Sequence, residues 1–311
     1  MKSEPAAIHQ EAPGVTRIDH GWAGPGFIAS YLVADGDALA LVEAGPASTL
    51  DALTAGIRAA GHEPERLTDL LLTHVHLDHA AGAGRLARMA PRARVWVHGL
   101  GAPHLADPSR LLASARRLYG DLMDAMWGTM LPVPRERIRV PDDGEGVRVG
   151  GRVLRALDTP GHASHHLAFH DPDAGLVFTG DAAGIRLDRA KHVRPPTPPP
   201  ELDTPRWLAT IDRLRRLEPA LLLPTHFGAV DDAGWHLDDL AARLAEWTRL
   251  AAEHADDTAA LTEALRARGD ADLLAATGDP GMVRRYAASI PYEMMAAGLA
   301  RQERSSARAA P

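Results

Sequence analysis

The sequence predicts an α/β (α+β) fold, and three observations point there. Short apolar runs of strand length, such as Leu70-Leu71-Leu72, Leu176 to Thr179 and Leu221-Leu222-Leu223, are bounded by polar or turn residues. Between them lie stretches whose apolar residues recur every three or four positions, as at Leu237, Leu240, Leu244, Trp247 and Leu250. Several of the strand-like runs lead directly into histidine or aspartate, so strand ends carry the polar chemistry.

Taken in order, residues 1–13 show no periodicity and read as a loosely packed arm. Val15 to His20 reads as a strand, followed by a turn-rich loop, Gly21-Trp22-Ala23-Gly24-Pro25-Gly26. Phe27 to Val33 and Ala38 to Val42 form a hairpin across residues 34–37. Ser48 or Thr49 caps a helix that runs to about Ala60, where Gly61 ends it. A strand at 69–72 runs into Thr73-His74-Val75-His76-Leu77-Asp78-His79. A short helix at 84–89 and a strand at 94–98 follow.

Residues 100–135 break the strand pattern. Leu111, Leu112, Ala115, Leu118, Leu122 and Met126 recur at helical spacing, with Met123, Trp127 and Met130 beside them. Two readings stand: a helical insertion packed on the core, or a lid that shapes an apolar substrate pocket. Strands at 146–149, 152–157, 167–170 and 176–179 come next. Residues 182–205 form a long irregular loop with a proline run at 195–200. Asp203 or Thr204 caps a helix to Leu217, with Pro205 in its first turn, and a strand then leads to His226. Beyond Asp232 the chain reads as helical, with a break at Pro291 and a disordered tail from about Arg301.

The bulk numbers narrow the function. At 311 residues the chain can bury a sizeable core. Its net charge of −7 gives no basic footprint for nucleic acid. Lysine occurs only at Lys2 and Lys191. The absence of cysteine excludes disulfides, thiolate metal sites and cysteine nucleophiles, so a metal must be held by nitrogen and oxygen. Met1 to Pro5 lacks the apolar core of a signal peptide, and no run approaches ~18 apolar residues. A cytoplasmic protein with no membrane or nucleic-acid partner is expected.

The cluster at 73–79 carries the most chemistry. Imidazole and carboxylate are good ligands for zinc, iron and manganese. In an extended segment His74, His76 and Asp78 share one face, and His79 points away unless the chain turns after Asp78. That geometry suggests two ligand groups rather than one cage.

His-x-His-x-Asp-His after an apolar strand resembles the metallo-β-lactamase superfamily of hydrolases. The later motifs of that family have counterparts in order: His162 in Asp158-Thr159-Pro160-Gly161-His162, Asp181 in the Gly180-Asp181 pair, and His226 at a strand end. The resemblance covers roughly residues 15 to 230. It implies a four-layer αββα sandwich, with a catalytic core at 14–232, a helical insertion at about 100–135, and a helical extension at 233–311 packed on the core. It also implies two divalent metals per chain, with zinc expected and iron or manganese as alternatives. His74, His76 and His162 would hold the first, Asp78, His79 and His226 the second, and Asp181 would bridge them. The metals would then lie roughly 3.5–4 Å apart with a nucleophilic hydroxide between them.

Further expectations follow from the resemblance. Asp78 is a candidate proton shuttle, and Thr73 and Thr225 are candidate supports. The 21–26 loop would lie beside the metals, making Trp22 a candidate substrate contact. The loop after Asp181 would border the site, making Arg186, Lys191 and Arg194 candidates for a substrate anion. His165 is a candidate partner of His162, while His166 and His170 read as sheet-surface or loop-holding histidines. The family often has an Asp-x-Gly turn whose acid supports the metal loops. Here the turn is Glu43-Ala44-Gly45, with an acid one methylene longer, so the sequence leaves that part open.

The reaction implied is metal-dependent hydrolysis of an ester-like bond in a small molecule: a lactone, thioester or ester. Two alternatives are an oxygenase of the persulfide dioxygenase type with one iron, and a non-catalytic binding protein of the same fold. The complete ligand pattern argues against the last. A homodimer is compatible with the helical extension.

Overall fold

The computed structural model describes residues 7–309. Strands β1 (Ile8–Ala12), β2 (Val15–Asp19), β3 (Ala29–Asp35), β4 (Ala38–Val42), β5 (Asp69–Leu71), β6 (Arg94–Trp96) and β7 (Ile138–Arg139) form one sheet in chain order. Pairing is antiparallel from β1 to β4 and parallel from β4 to β7. Strands β8 (Gly146–Val149), β9 (Arg152–Asp158), β10 (Leu167–Asp171), β11 (Leu176–Gly180) and β12 (Leu221–Pro224) form the second sheet, in the order β12-β11-β10-β9-β8. Only β11 and β12 run parallel there.

Parallel neighbours need crossovers, and the helices supply them. Helix α1 (Leu50–Ala59) joins β4 to β5, and α2 (Leu77–Ala80) and α3 (Ala83–Met89) join β5 to β6. Helices α4 (Ala102–Ala106), α5 (Ser109–Tyr119) and α6 (Met123–Trp127) lie between β6 and β7, and α7 (Thr204–Arg215) between β11 and β12. Helices α8 (Ala233–Glu253), α9 (Thr258–Thr277), α10 (Pro280–Ser289) and α11 (Tyr292–Ala309) complete the chain. None of the described helices is long and apolar enough to cross a membrane.

Side-chain alternation explains the layering. On β3 and β4, Tyr31, Val33, Ala40 and Val42 join Leu154, Phe169 and Phe178 of the second sheet in one buried cluster, the filling of the sandwich. Their neighbours Leu32, Leu39 and Leu41 belong instead to a cluster with Leu53 and Ile57 of α1. On the second sheet Val177 and Leu222 pair in the same way with helix residues such as Trp207 and Leu237. Both faces of each central strand are covered, so these strands read as continuous apolar runs. The result is the four-layer αββα arrangement.

The ends of the chain differ from the sequence expectation. Residues 1–6 lie outside the described part, but Ile8–Ala12 is a strand laddered to β2. It is an edge strand with little burial, held by backbone hydrogen bonds rather than by an apolar pattern. At the other end α11 stays helical to Ala309, and Arg301 and Gln302 bond to Pro200 and Thr204. Ser48 and Thr49 do not cap α1. Ser48 Oγ donates to the Met126 carbonyl, and Thr49 Oγ1 to that of Pro46. Asp203 does cap α7, accepting from the Arg206 amide.

Two glycines mark close approaches that position the site. A Cβ on Gly298 of α11 would lie 2.0 Å from the Thr197 carbonyl oxygen, so α11 rests directly on the proline loop. Gly161 has φ +141°, and a Cβ there would lie 2.3 Å from Cα of Trp207. Gly161→Ala should therefore displace the turn that carries His162 and cost about 3 kcal/mol. The midpoint of urea unfolding measures it.

Candidate metal centre

The cluster sits where strands of both sheets end. After β5 the chain does not stay extended through Asp78: the helical turn α2 begins at Leu77. That turn brings His79 to the same side as His74, His76 and Asp78, although an extended segment would have pointed it away. His162 arrives on the turn after β9, Asp181 directly after β11, and His226 just after β12.

Two donor groups result. His74 Nε2 and His162 Nε2 lie 2.9 and 3.0 Å from His76 Nδ1. Asp78 Oδ2 lies 3.6 Å from His79 Nε2 and 3.4 Å from His226 Nε2. Asp181 stands between the groups. Its Oδ2 is 3.4 Å from His162 Nε2, and its Oδ1 is 3.2 Å from His79 Nε2 and 3.5 Å from His226 Nε2. Each of the two triplets has ligand atoms within 4.8 Å of one another, and His74, His79 and Asp181 make a third such set across them.

The far side of the imidazoles is fixed by hydrogen bonds that leave the facing nitrogens free. His162 Nδ1 donates to the Pro196 carbonyl and His226 Nδ1 to that of Phe27. Nδ1 of His79 donates to Glu43 Oε1 at 3.1 Å, and Nδ1 of His74 contacts Thr73 Oγ1, which itself donates to Glu43 Oε1 at 2.5 Å. Thr225 Oγ1 also donates to Glu43. The longer acid thus reaches both histidine loops and the β12 end. The backbone at Glu43 has φ +70°, which turns the carboxylate under the cluster.

Sequence spacing alone could not show this convergence on Glu43. His166 is buried among the same loops. Its Nε2 accepts from the Asp181 amide, so its Nδ1 donates to Thr159 Oγ1.

The electrostatics ask for positive charge. Burial pushes His74, His76 and His162 below their usual values, so they present neutral lone pairs. Burial opposes charge on His79 and His226 too, but the Asp181 and Asp78 carboxylates outweigh it and hold both above the usual range. His79 Nε2 and Asp181 Oδ1 are buried, yet neither has an aligned hydrogen bond. Orphaned donor atoms of this kind, all nitrogen or oxygen, fit divalent zinc, iron or manganese.

His76, Asp78, His162, Asp181 and His226 of the cluster line a cavity of about 460 Å³. Its walls come from α5 and α6, the proline run, and the junction of α10 and α11. Trp22 lines it, stacked on Trp127 with ring centroids 5.1 Å apart and its indole N–H donating to the Met126 carbonyl. His165 also lines it, 3.7 Å from Glu201 rather than bonded to His162.

The proposed anion-binding residues lie elsewhere. Arg186 is buried and paired with Asp232, and Lys191 ends on the same carboxylate. Arg194 is fully buried between the rings of Tyr286 and Tyr292 and donates to the Tyr292 hydroxyl. All three lock the loop after Asp181 to the C-terminal helices. Their partners stand some 40 to 100 positions away, out of reach of local reading.

A family model described as the metallo-beta-lactamase superfamily matches residues 23–226. A metallo-beta-lactamase fold-containing protein of Sulfurisphaera tokodaii is 29% identical over 53% of this chain and 62% of its own length. A hydroxyacylglutathione hydrolase of Cereibacter sphaeroides is 35% identical over 44% of this chain. The match spans 43% of that relative, so this chain aligns with less than two thirds of either protein. Among solved structures, a metallo-beta-lactamase family protein from Thermus thermophilus superposes with a TM-score of 0.67 at 21% identity. The superposition covers 97% of this chain and 96% of the other. Fold, motif order and family match agree: this chain belongs to the metallo-β-lactamase superfamily.

Proposed function

We propose that the chain is a metal-dependent hydrolase that cleaves an ester-like bond (a lactone, thioester or ester) at a binuclear centre. The observation that carries this is the pair of donor groups sharing Asp181 against a cavity of about 460 Å³. His74, His76 and His162 would hold one ion, Asp78, His79 and His226 the other, and Asp181 would serve both. Zinc suits this nitrogen-rich set best, with iron or manganese as alternatives. Two bound ions would supply a hydroxide at neutral pH and an electrophile for the scissile carbonyl.

The chain's own residues do the rest. Glu43 fixes His79, Thr73 and Thr225 through one buried carboxylate. Asp78 lines the cavity and is a quarter exposed, and its carboxylate is ionised, so it can accept the proton released by the attacking water and pass it to the leaving group. The Trp22–Trp127 stack ties the insertion to the 21–26 loop at the cavity wall. The hydroxyacylglutathione hydrolase relatives favour an acyl bond over other hydrolysable bonds. The substrate is a small molecule, since the site lines a cavity.

A panel of lactones, thioesters and esters tests the reading. Hydrolysis of at least one class should vanish after chelation and return on adding zinc, manganese or iron. Hydrolysis that survives complete metal removal would sink it. Oxygen uptake with a persulfide substrate would replace it with the oxygenase reading.

A further inference from the structure

We propose that the substrate is an amphiphile: an ester or thioester with an apolar acyl chain and a polar leaving group. This rests on the hydrolase reading above and names the substrate class of that site. The argument lies in how the cavity is built along α5. One face of that helix lines it from Arg110 through Leu111, Ser114 and Ala115 to Leu118. From Arg110 to Leu118 the helix rises by about 12 Å, and the character of the wall changes over that span.

The wall near Arg110 is polar. Arg110 and His104 line the cavity, His104 is close enough to His165 to act on its charge, and His165 stands 3.7 Å from Glu201. Ser164 also bonds to Glu201 there. The other end is apolar. Tyr119 stands edge-on to Trp127, whose ring stacks on Trp22, and the Tyr119 hydroxyl reaches the Met294 sulfur. Leu118 and Leu122 line this end while 49% and 63% exposed. Large aliphatic side chains left that open beside a cavity mark a surface that an apolar ligand can cover. The metal-ligand cluster borders both: the His76 ring lies 5.8 Å from that of His165, and the Asp78 carboxylate is near enough to Tyr119 to act on its hydroxyl.

A scissile carbonyl held at the cluster therefore places its two substituents in unlike surroundings. The apolar end suits the acyl chain. The polar end, with both a cation and a carboxylate, suits an alcohol or thiol carrier with hydrogen-bonding groups. Apolar contact remote from the reacting bond is binding energy that acceleration can draw on. Each methylene buried should raise kcat/KM about fourfold until the chain outgrows the cavity.

Two measurements test this. The first is kcat/KM of the metal-loaded protein for 4-nitrophenyl esters from acetate to dodecanoate. The second needs no turnover: Trp22 and Trp127 form the apolar end, so their fluorescence should respond to decanoate and not to acetate. Leu118→Asp, at an exposed position outside the core, should flatten the chain-length series and weaken the decanoate response at least tenfold. A rising series with the matching fluorescence change supports the proposal. A series that is flat or falls while acetate is hydrolysed well overturns it and leaves the hydrolase reading intact. No hydrolysis at any length counts against the hydrolase reading for these esters. In that event the proposal stands or falls on decanoate, and a missing fluorescence response overturns it.

Discussion

Asp181→Ala should strip metal from both donor groups and lower turnover by at least ~10³-fold. The carboxylate stands between the two sets of imidazoles, with Oδ2 toward His162 and Oδ1 toward His79 and His226. His74 also comes within 4.8 Å of His79 and Asp181, but Asp181 turns one oxygen toward each group. The loss should not come from unfolding, because Oδ1 has no hydrogen-bond partner to lose and the Asp181 amide keeps its bond to His166. Far-UV circular dichroism should match the parent protein while metal content per chain falls. His76→Ala makes a useful contrast. It removes a donor from the first group only, so turnover should still be abolished while the ion of the second group is partly retained. Full activity in either variant would refute the assignment of the site.

Glu43→Ala should be the most damaging change outside the cluster itself. It takes away one buried carboxylate and leaves His79 Nδ1, Thr73 Oγ1 and Thr225 Oγ1 without their acceptor. Stranding buried donors costs roughly 1–3 kcal/mol each when nothing replaces the acceptor. A total of about 3 kcal/mol is expected, allowing for relaxation. Metal affinity should fall about 10–100-fold, since His79 loses the bond that aims its facing nitrogen and Thr73, the partner of His74, loses its anchor. Alanine keeps a Cβ at φ +70°, so the backbone conformation is matched and the effect reports the carboxylate. Denaturant unfolding and competition with a chelator separate the two losses. A variant as stable and as metal-tight as the parent would remove Glu43 from the account.

Much of this architecture was legible because the strands are buried on both faces, so runs such as Leu70 to Leu72 and Leu221 to Leu223 stand out. The residues of the cluster were legible for a related reason: they fall at the ends of those runs, where a rigid strand meets a loop. The edge strand Ile8–Ala12 was not, because its Ile-His-Gln-Glu-Ala sequence has no buried face to impose a pattern. The turn of α2 was also hidden. His79 faces the cluster only because the backbone coils at Leu77, and an extended reading points it outward.

Arg186 and Arg194 mislead for a different reason. An arginine in a loop beside a site looks available until its partners are known, and those partners, Asp232 just ahead of α8, Tyr286 in α10 and Tyr292 in α11, are distant in the chain. Trp22 was singled out by its place in a turn-rich loop. Its stack on Trp127 ties that loop to the 100–135 insertion, a contact between segments about a hundred residues apart. The insertion thereby packs on the core and walls the cavity at once, so features of both readings are present.

The most direct test is elemental analysis of the purified protein at neutral pH after removal of loosely bound ions. The two donor groups predict about two divalent metal atoms per chain, falling toward none in Asp181→Ala. One iron atom per chain and no second metal would contradict the binuclear centre, and so would a fully active protein that holds no metal.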